Sequence, residues 1–233
     1  MDSAKEQLTT FLRQYAEGEP EIIFDQPITD KPLTDYDPIK QKTLGELQEV
    51  ALKCTACKLS ETRNKVVFGD GNPDARLMFI GEGPGADEDM QGKPFVGRAG
   101  KLLDKIIVAM GLDREDVYIA NIVKCRPPEN RNPEKDESDA CIHFLKEQIA
   151  IIQPEVIVGL DKVAALYLLG VPDKISVKAL REQRHFYTGI PFVVTYHPAA
   201  LLRNQAFKKP TWLDMQNVMK MLDGSLKWGE GTL

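Results

Sequence analysis

The residues with the most chemically specific spacing are the four cysteines, which are all the cysteine that the chain contains. They form a C-x2-C pair and, after a gap of 67 residues, a C-x15-C pair: Cys54, Cys57, Cys125 and Cys141. Four thiolates from separate segments can surround one soft metal centre. The pattern therefore predicts a metal site that ties the start of a globular domain to its middle.

Three interpretations of these thiols are open: an iron–sulfur cluster, a zinc ion, and unrelated thiols. Structural zinc sites usually have two short ligand pairs, and the stretched second pair here favours a cluster, with [4Fe–4S] the best guess. Disulfides need an oxidising compartment, and the N-terminal MDSAKEQLTTFLRQ has no apolar h-region, so we predict no signal peptide. Since no run of about 18 apolar residues occurs, we expect no membrane span and a cytoplasmic protein, nucleoid-associated if the source is prokaryotic.

Three polar segments carry the other residues that could do chemistry: GEGPGADEDMQGKPF (81–95), NIVKCRPPENRNP (121–133) and TYHPAALLRN (195–204). The first matches the dinucleotide pattern G-x-G-x-x-G/A, but Pro84 is expected to interrupt the turn-to-helix transition there. The acidic residues that follow would repel a pyrophosphate. Its glycines are expected to let the backbone approach a ligand closely, with Glu82 either beside that ligand or ordering the loop.

Asn121 and His197 are the notable polar residues of the other two segments. A buried asparagine in a strand is costly unless it is paired, so Asn121 either satisfies backbone groups or contacts a ligand. His197 follows a strand and precedes a proline, and a lone histidine is usually structural. Nearby, Lys124, Arg126 and Arg131 form a cluster that suits a phosphate or is simply solvated.

Alternating strands and helices must position these segments. Apolar runs predict strands over 75–81, 116–125, 154–160 and 190–197. Apolar spacing predicts helices after Thr43, where Glu46 completes a capping box, and over 97–111, 134–152, 163–170 and 211–222. This order predicts a three-layer α/β/α sandwich around a central, mostly parallel four-stranded sheet, with the site at the carboxyl ends of the strands.

Composition divides the chain into three parts: an N-terminal extension, partly disordered, over 1–42, a domain over 43–225 and a tail over 226–233. The extension has a short apolar helical pattern followed by a stretch rich in proline and acidic residues. The formal net charge is −5, which counts mildly against a nucleic-acid-binding protein. A local basic patch is nevertheless compatible with an acidic total.

Four stretches together resemble the family 4 uracil-DNA glycosylases, the iron–sulfur members of the uracil-excision superfamily. The stretches are GEGPG, GKPFVGRAGKLL, VYIANIVKCRPPENRNP and YHPAALLRN, with the four cysteines before and between them. The resemblance covers roughly residues 43–223. It implies a base-excision repair enzyme that hydrolyses the N-glycosidic bond of deoxyuridine in single- or double-stranded DNA, releases uracil, leaves an abasic site, and acts by default as a monomer.

The resemblance also implies roles for individual residues. Phe95 resembles the aromatic residue that stacks on the flipped uracil, and Asn121 resembles the asparagine that reads the edge of the base. His197 resembles the histidine that hydrogen-bonds uracil O2 and stabilises the leaving charge. Glu82 is then the candidate that positions water or offsets the positive charge of the sugar.

Two further residues are expected to contribute to the substrate pocket. Glu88 is expected to shape the pocket near uracil C5. Gly83 stands where other families of the superfamily place an acidic residue or an asparagine, which leaves the identity of a general base open.

The segment after His197 is where the superfamily carries a wedge loop. Leu201 or Leu202 is expected to fill the stack that the base leaves, or to pack at a helix start, and Arg203 to hold a phosphate. A basic strip is expected on the DNA side: Lys124, Arg126, Arg203, Lys208 and Lys209.

The iron–sulfur cluster that the four cysteines predict is expected to be structural.

Two alternatives to a glycosylase remain. A non-catalytic iron–sulfur DNA-binding module associated with replication or repair proteins would not need Glu82, Asn121 and His197 together. A nucleotide-binding α/β protein would need an acidic residue at the end of the next strand, where the sequence has the basic IVKCR.

Overall fold

Residues 43–229 are the part of the chain that the computed structural model describes. The predictions for the extension over 1–42 and for the last residues of the tail lie outside the described residues. The described part of the tail packs through Trp228, whose Nε1 donates to the carbonyl of His185 over 3.0 Å.

A mixed six-stranded sheet organises these residues. In chain order the strands are β1 (Asp70–Gly71), β2 (Leu77–Gly81), β3 (Tyr118–Asn121), β4 (Val156–Leu160), β5 (His185–Tyr187) and β6 (Ile190–Thr195). The spatial order is β1-β3-β2-β4-β6-β5. The four central strands run parallel and the two edge strands pair antiparallel.

The predicted α/β architecture with a mostly parallel sheet is confirmed, but the predicted number of four strands was wrong. All four predicted strands exist, and they are the central ones. The two missed strands form the edges, where β1 has two residues and β5 has three. Neither carries an apolar run, because an edge strand needs no burial on both faces.

Helices cover both faces of the sheet. Their bounds are α1 (Leu44–Leu52), α2 (Ala86–Gln91), α3 (Arg98–Ala109), α4 (Lys135–Ile152), α5 (Lys162–Leu169), α6 (Val177–Arg181), α7 (Pro198–Arg203) and α8 (Lys208–Leu222). One face packs Met78 and Ile80 with α1, α4 and α5, and the other packs Leu77 and Phe79 with α3 and α8. Since both faces are buried, the central strands read as continuous apolar runs.

The five predicted helices are confirmed, with α8 beginning at Lys208 rather than near 211. The capping box at α1 is present: the Thr43 side chain accepts from the Glu46 N–H over 3.2 Å. The expectation that Pro84 interrupts the transition to a helix was wrong, because α2 begins at Ala86 directly after the loop. In the described residues, no helix is long and apolar enough to cross a membrane.

The strand register determines which residues meet at the carboxyl edge of the sheet. Gly81 of β2 pairs with Asn121 of β3. Leu160 of β4 pairs with Thr195 of β6. The side chains that follow these pairs along the chain therefore emerge side by side at one edge, as expected for a parallel α/β sheet.

Candidate active site and cysteine site

A cleft of about 520 Å³ lies at this edge of the sheet. Such a volume is in the range of small-molecule sites, roughly 300–1,000 Å³. The cleft brings together every residue that the sequence predicted for the substrate pocket: Glu82, Gly83, Glu88, Phe95, Asn121 and His197. Residues up to 115 positions apart in the sequence thus line one cleft.

Asn121 presents an unpaired acceptor to this cleft. The residue is 1% exposed, and no hydrogen-bond partner for its Oδ1 atom lies within residues 43–229. A Cβ atom at Gly81 would lie 2.5 Å from this oxygen and 2.7 Å from Phe95 Cζ, so only glycine allows the three groups to meet. A buried polar atom without a partner costs about 1–3 kcal/mol. The atom is therefore expected to receive a hydrogen bond from a ligand.

Phe95 is held in a strained conformation beside His197. Its φ of 51° is left-handed, which is unusual for a bulky residue, and its ring centroid lies 5.5 Å from that of His197. Arg114 fixes the segment by donating to the carbonyls of Pro94 and Phe95 over 2.5 and 3.2 Å. At Gly100 of α3 a Cβ atom would lie 1.9 Å from the Phe95 carbonyl oxygen, so the backbones touch directly.

The hydrogen bonding of His197 determines which of its ring nitrogens can donate. Its Nδ1 atom accepts from the Ala199 N–H over 3.1 Å and thereby caps the start of α7. The proton of the neutral ring therefore sits on Nε2. Burial lowers the pKa of His197, with a smaller opposing effect from Asp161. The site thus holds a neutral imidazole with a free N–H donor.

Glu82 and Glu88 behave differently although both line the cleft. Burial, reinforced by the neighbouring charge of Asp161, raises the pKa of Glu82 to about 7. Within residues 43–229 its carboxylate has no hydrogen bond. Glu88 instead accepts from the N–H groups of Gly85, Val96 and Gly97 over 3.1, 2.8 and 2.9 Å. Loop ordering is therefore a function of Glu88, and the Glu82 carboxylate is free to meet a ligand.

Gly83 lets the loop after β2 pack tightly. A Cβ atom at this position would lie 2.7 Å from Val123 Cγ2, on the strand end that carries Asn121. The N–H of Val123 donates to the Glu82 carbonyl over 3.1 Å, so this loop continues the pairing of β2 with β3.

The four cysteines surround a second cavity, next to Arg63 and Lys124. All four are free thiols. They come from the end of α1, the turn after it, the segment after β3, and α4: Cys54, Cys57, Cys125 and Cys141. Arg63 Nη1 donates to Cys125 Sγ over 3.1 Å, and the Lys124 backbone N–H donates to Cys141 Sγ over 3.3 Å.

Four thiols around one cavity, two of which accept hydrogen bonds from N–H groups, are a donor set that suits a soft metal centre such as an iron–sulfur cluster. N–H donors to sulfur are also a common means of stabilising cluster thiolates.

Comparison with known proteins agrees with this geometry. The model of the uracil DNA glycosylase superfamily matches residues 68–217. The type-4 uracil-DNA glycosylase of Thermotoga maritima is 46% identical over 168 residues, which is 72% of this chain and 87% of that relative. That of Saccharolobus solfataricus is 45% identical over 177 residues, 73% of this chain and 82% of the relative. That of Sulfurisphaera tokodaii is 40% identical over 186 residues, covering 77% and 84%.

The chain belongs to the type-4 uracil-DNA glycosylases. The resemblance that the motifs indicated is thereby confirmed. Membership of this family excludes the alternative of a nucleotide-binding α/β protein. In agreement, acidic residues in the first turn of α2 follow the glycine pattern.

The residues that the sequence predicted to contact DNA differ in exposure. Leu201 is 2% exposed and Leu202 is 50% exposed, so of the two wedge candidates only Leu202 faces solvent. Arg203 is exposed and lines the cleft. Arg126 is half-buried, and its Nε atom donates to Asn130 Oδ1, on the cleft rim, over 2.8 Å.

Assigning Lys124 to the basic strip was wrong. This lysine is 1% exposed, and its Nζ atom donates to the Asn121 carbonyl and to Gln148 Oε1 over 2.9 and 2.6 Å. Arg131 is also engaged, in a paired contact with the buried Glu137. The exposed lysines of the strip are Lys208 and Lys209.

Sequence reasoning missed Asp161, which follows β4 and lines the same cleft. A signal existed, because the strand predicted over 154–160 ends directly before it. The rule that points to residues after parallel strands would have selected it together with Glu82 and His197.

Proposed function

We propose that this protein hydrolyses the N-glycosidic bond of deoxyuridine in DNA, releases uracil and leaves an abasic site. The observation that carries the proposal is the pairing of two groups in one cleft. Asn121 offers a buried, unpaired acceptor, and His197 offers a neutral N–H donor. Uracil presents a matching donor at N3 and a matching acceptor at O2.

Asn121 is proposed to select uracil over cytosine. Its Oδ1 atom would accept from uracil N3–H while its amide donates to O4. Cytosine has an unprotonated N3 and an amino group in place of O4, so it would leave the asparagine with mismatched partners. An enzyme site with unpaired buried polar groups rejects such an analogue strongly.

His197 is proposed to stabilise the leaving group. As the bond from C1′ to N1 breaks, both electrons remain on uracil, and negative charge develops at O2. A fixed N–H donor from a neutral ring stabilises that charge without prior reorganisation. The neighbouring ring of Phe95 would stack on the base and hold it against both polar groups.

Glu82 is proposed to handle the water. The oxygen of a water molecule forms the new bond to C1′, and the proton that it loses passes to the Glu82 carboxylate. A pKa of about 7 suits this carboxylate to a general base near neutral pH. Glu88 is proposed to shape the pocket near uracil C5 by ordering the loop whose N–H groups donate to it.

We infer that the four cysteines hold a [4Fe–4S] cluster. When bound, the cluster supplies a rigid link between α1, the segment after β3 and α4, and the role proposed for it is structural. Arg63 and the Lys124 backbone would donate to its thiolates.

The base must leave the duplex to reach the cleft, at a cost of a few kcal/mol. Leu202 is proposed to fill the vacated stack, and positive side chains around it to hold the phosphates: Arg126, Arg203, Lys208 and Lys209. The proposed substrate is thus uracil-containing DNA, acted on by a monomer.

The test is uracil release from a labelled oligonucleotide with a single dU, against a dT control, followed by alkaline cleavage. We expect cleavage at dU alone, abolished by Asn121→Ala and unchanged by Asn217→Ala on the remote helix α8. DNA binding with an intact cluster but no cleavage at dU would instead support the non-catalytic iron–sulfur module.

A further inference from the structure

Asp161 has a backbone conformation that aspartate rarely adopts. The residue follows the last residue of β4 and precedes α5, with φ 94° and ψ 173°. This region of backbone space is essentially restricted to glycine. Its Oδ1 atom accepts from the adjacent Lys162 N–H over 2.6 Å at the start of α5, and within residues 43–229 this side chain has no other hydrogen bond.

The surrounding sheet imposes this conformation. Leu160 pairs with Thr195 in the neighbouring strand β6, and the Asp161 N–H donates to the Thr195 carbonyl over 2.8 Å. A glycine at this position would satisfy the same backbone contacts without strain. Because strained residues persist mainly at functional sites, the carboxylate itself is the feature to explain.

The register places this carboxylate beside Glu82. Ile80 of β2 pairs with Gly159 of β4, and Glu82 and Asp161 each lie two residues beyond that pair. Both line the cleft, as does Asn121, whose unpaired Oδ1 atom independently marks the site of a ligand. The negative charge of Asp161 adds to the rise in the pKa of Glu82 and partly offsets the lowering of the pKa of His197 by burial.

The charges that develop on the substrate during the reaction indicate which part of it Asp161 should face. Uracil becomes negative as the bond from C1′ to N1 breaks, so a carboxylate next to the base would oppose the reaction. The deoxyribose becomes positive in the same step, and a fixed anion next to it favours the reaction.

We propose that Asp161 is a second carboxylate of the hydrolysis, held beside Glu82 so that its negative charge faces the deoxyribose of the extruded nucleotide. The inference rests on the proposed glycosylase function. It divides the work between two groups: Glu82 accepts the proton of the attacking water, and Asp161 stabilises the sugar cation. Two carboxylates with different surroundings commonly take different roles in this way.

Several charged groups surround Glu82 and must be considered in any pH experiment. They are Asp161 and Lys162 at the start of α5, Glu88 on α2, Arg131 after β3, and His197 and Arg203 on α7. Asp161 raises the pKa of Glu82, so its removal lowers that pKa. A reaction that requires ionised Glu82 should then keep its activity to lower pH.

The experiment compares Asp161→Gly and Asp161→Asn with the unmodified protein in single-turnover uracil excision and thermal unfolding. We expect excision by both variants to slow by at least about tenfold, the effect of a modest loss of transition-state stabilisation. The acidic limb of the pH–rate profile should shift to lower pH. Asp161→Gly should unfold at the same or a higher temperature, because glycine relieves the strain.

Three outcomes would overturn the inference. The first is full excision rates in both variants, and the second is an acidic limb that does not move. The third is a loss of rate that follows a loss of thermal stability, as for a structural residue. Asp74→Asn, on an exposed loop, is the matched control and should change neither property. If the unmodified protein releases no uracil, the proposed function fails and the inference fails with it. If the unmodified protein is active but the variants do not behave as expected, only the role of Asp161 is contradicted.

Discussion

The side-chain Nζ atom of Lys124 donates to the main-chain carbonyl of Asn121 over 2.9 Å, inside the protein core. The backbone N–H of the same lysine donates to Cys141 Sγ over 3.3 Å. One buried residue therefore contacts both the strand end that carries the proposed base-reading amide and the cysteine cavity. The two sites are physically connected through it.

Replacing Lys124 with methionine should test this connection. The change leaves the Asn121 carbonyl and Gln148 Oε1 without their buried donor, which should cost about 1–3 kcal/mol of stability. We expect a lower melting temperature and weaker substrate binding, seen as a raised KM. Lys146→Met on the exposed side of α4 is the control. An unchanged melting temperature and KM would show that Lys124 does not support the cleft.

Asn121→Ala should separate activity from stability. The substitution removes a buried acceptor that has no partner, so the free protein should lose little stability, within about 1 kcal/mol. Uracil excision should fall by about a hundredfold or more, because the base then lacks its hydrogen-bonding partner. Single-turnover excision and thermal unfolding measured on the same preparation decide the matter. A large loss of stability with little loss of rate would contradict the proposed role.

Glu82 should give the reaction its acidic limb. Ionised Glu82 is required in the proposed mechanism, and the ionised fraction rises with pH through the pKa of about 7. The excision rate should therefore rise through this range, and Glu82→Gln should remove the limb and slow the reaction. Glu115→Gln, on the exposed turn before β3, is the matched control.

The raised pKa of Glu82 also makes the stability of the folded protein depend on pH. The folded pKa of Glu82 lies above its ordinary value of 4.5, so the folded state binds the proton more tightly than the unfolded state. The contribution of Glu82 to stability therefore falls as the pH rises from about 4.5 to about 7. Glu82→Gln should raise the melting temperature relative to the unmodified protein at pH values above this window, but not below it. Equal differences at both ends would argue against the raised pKa.

Much of this arrangement could be predicted from the sequence, for identifiable reasons. The central strands are buried on both faces and so read as apolar runs, whereas β1 and β5, with two and three residues, are too short to be recognised. The cleft residues were found because they follow strands or belong to recognised motifs. Lys124 was misplaced because a sequence does not show whether a lysine side chain points into the core or out of it. Asp161 was missed although it directly follows a predicted strand, and its strain could not be predicted because it depends on the packing of β4 against β6.

Cys141→Ala tests the cysteine site. Loss of one of four thiols should lower iron content, visible absorbance and solubility together, because the proposed cluster links three segments of the fold. Activity should fall in proportion to the loss of folded protein. Iron and sulfide analysis of the purified variant, with melting temperature, provides the measurement. Normal stability and iron content with a specific loss of activity would contradict a structural cluster.

Leu201 and Leu202 offer a matched pair for the DNA-facing segment. Leu202 is 50% exposed, so Leu202→Ala should leave the melting temperature almost unchanged. Leu201 is 2% exposed, so Leu201→Ala should lower the free energy of unfolding by about 2–5 kcal/mol. If Leu202 fills the vacated stack, its loss should slow excision from duplex DNA more than from single-stranded DNA, since only the duplex must be opened. Rates on both substrates, measured for both variants, distinguish the roles. If Leu202→Ala slows excision equally on the two substrates, Leu202 does not act as a wedge. Arg203 and the neighbouring lysines would then be the proposed DNA contacts of this segment.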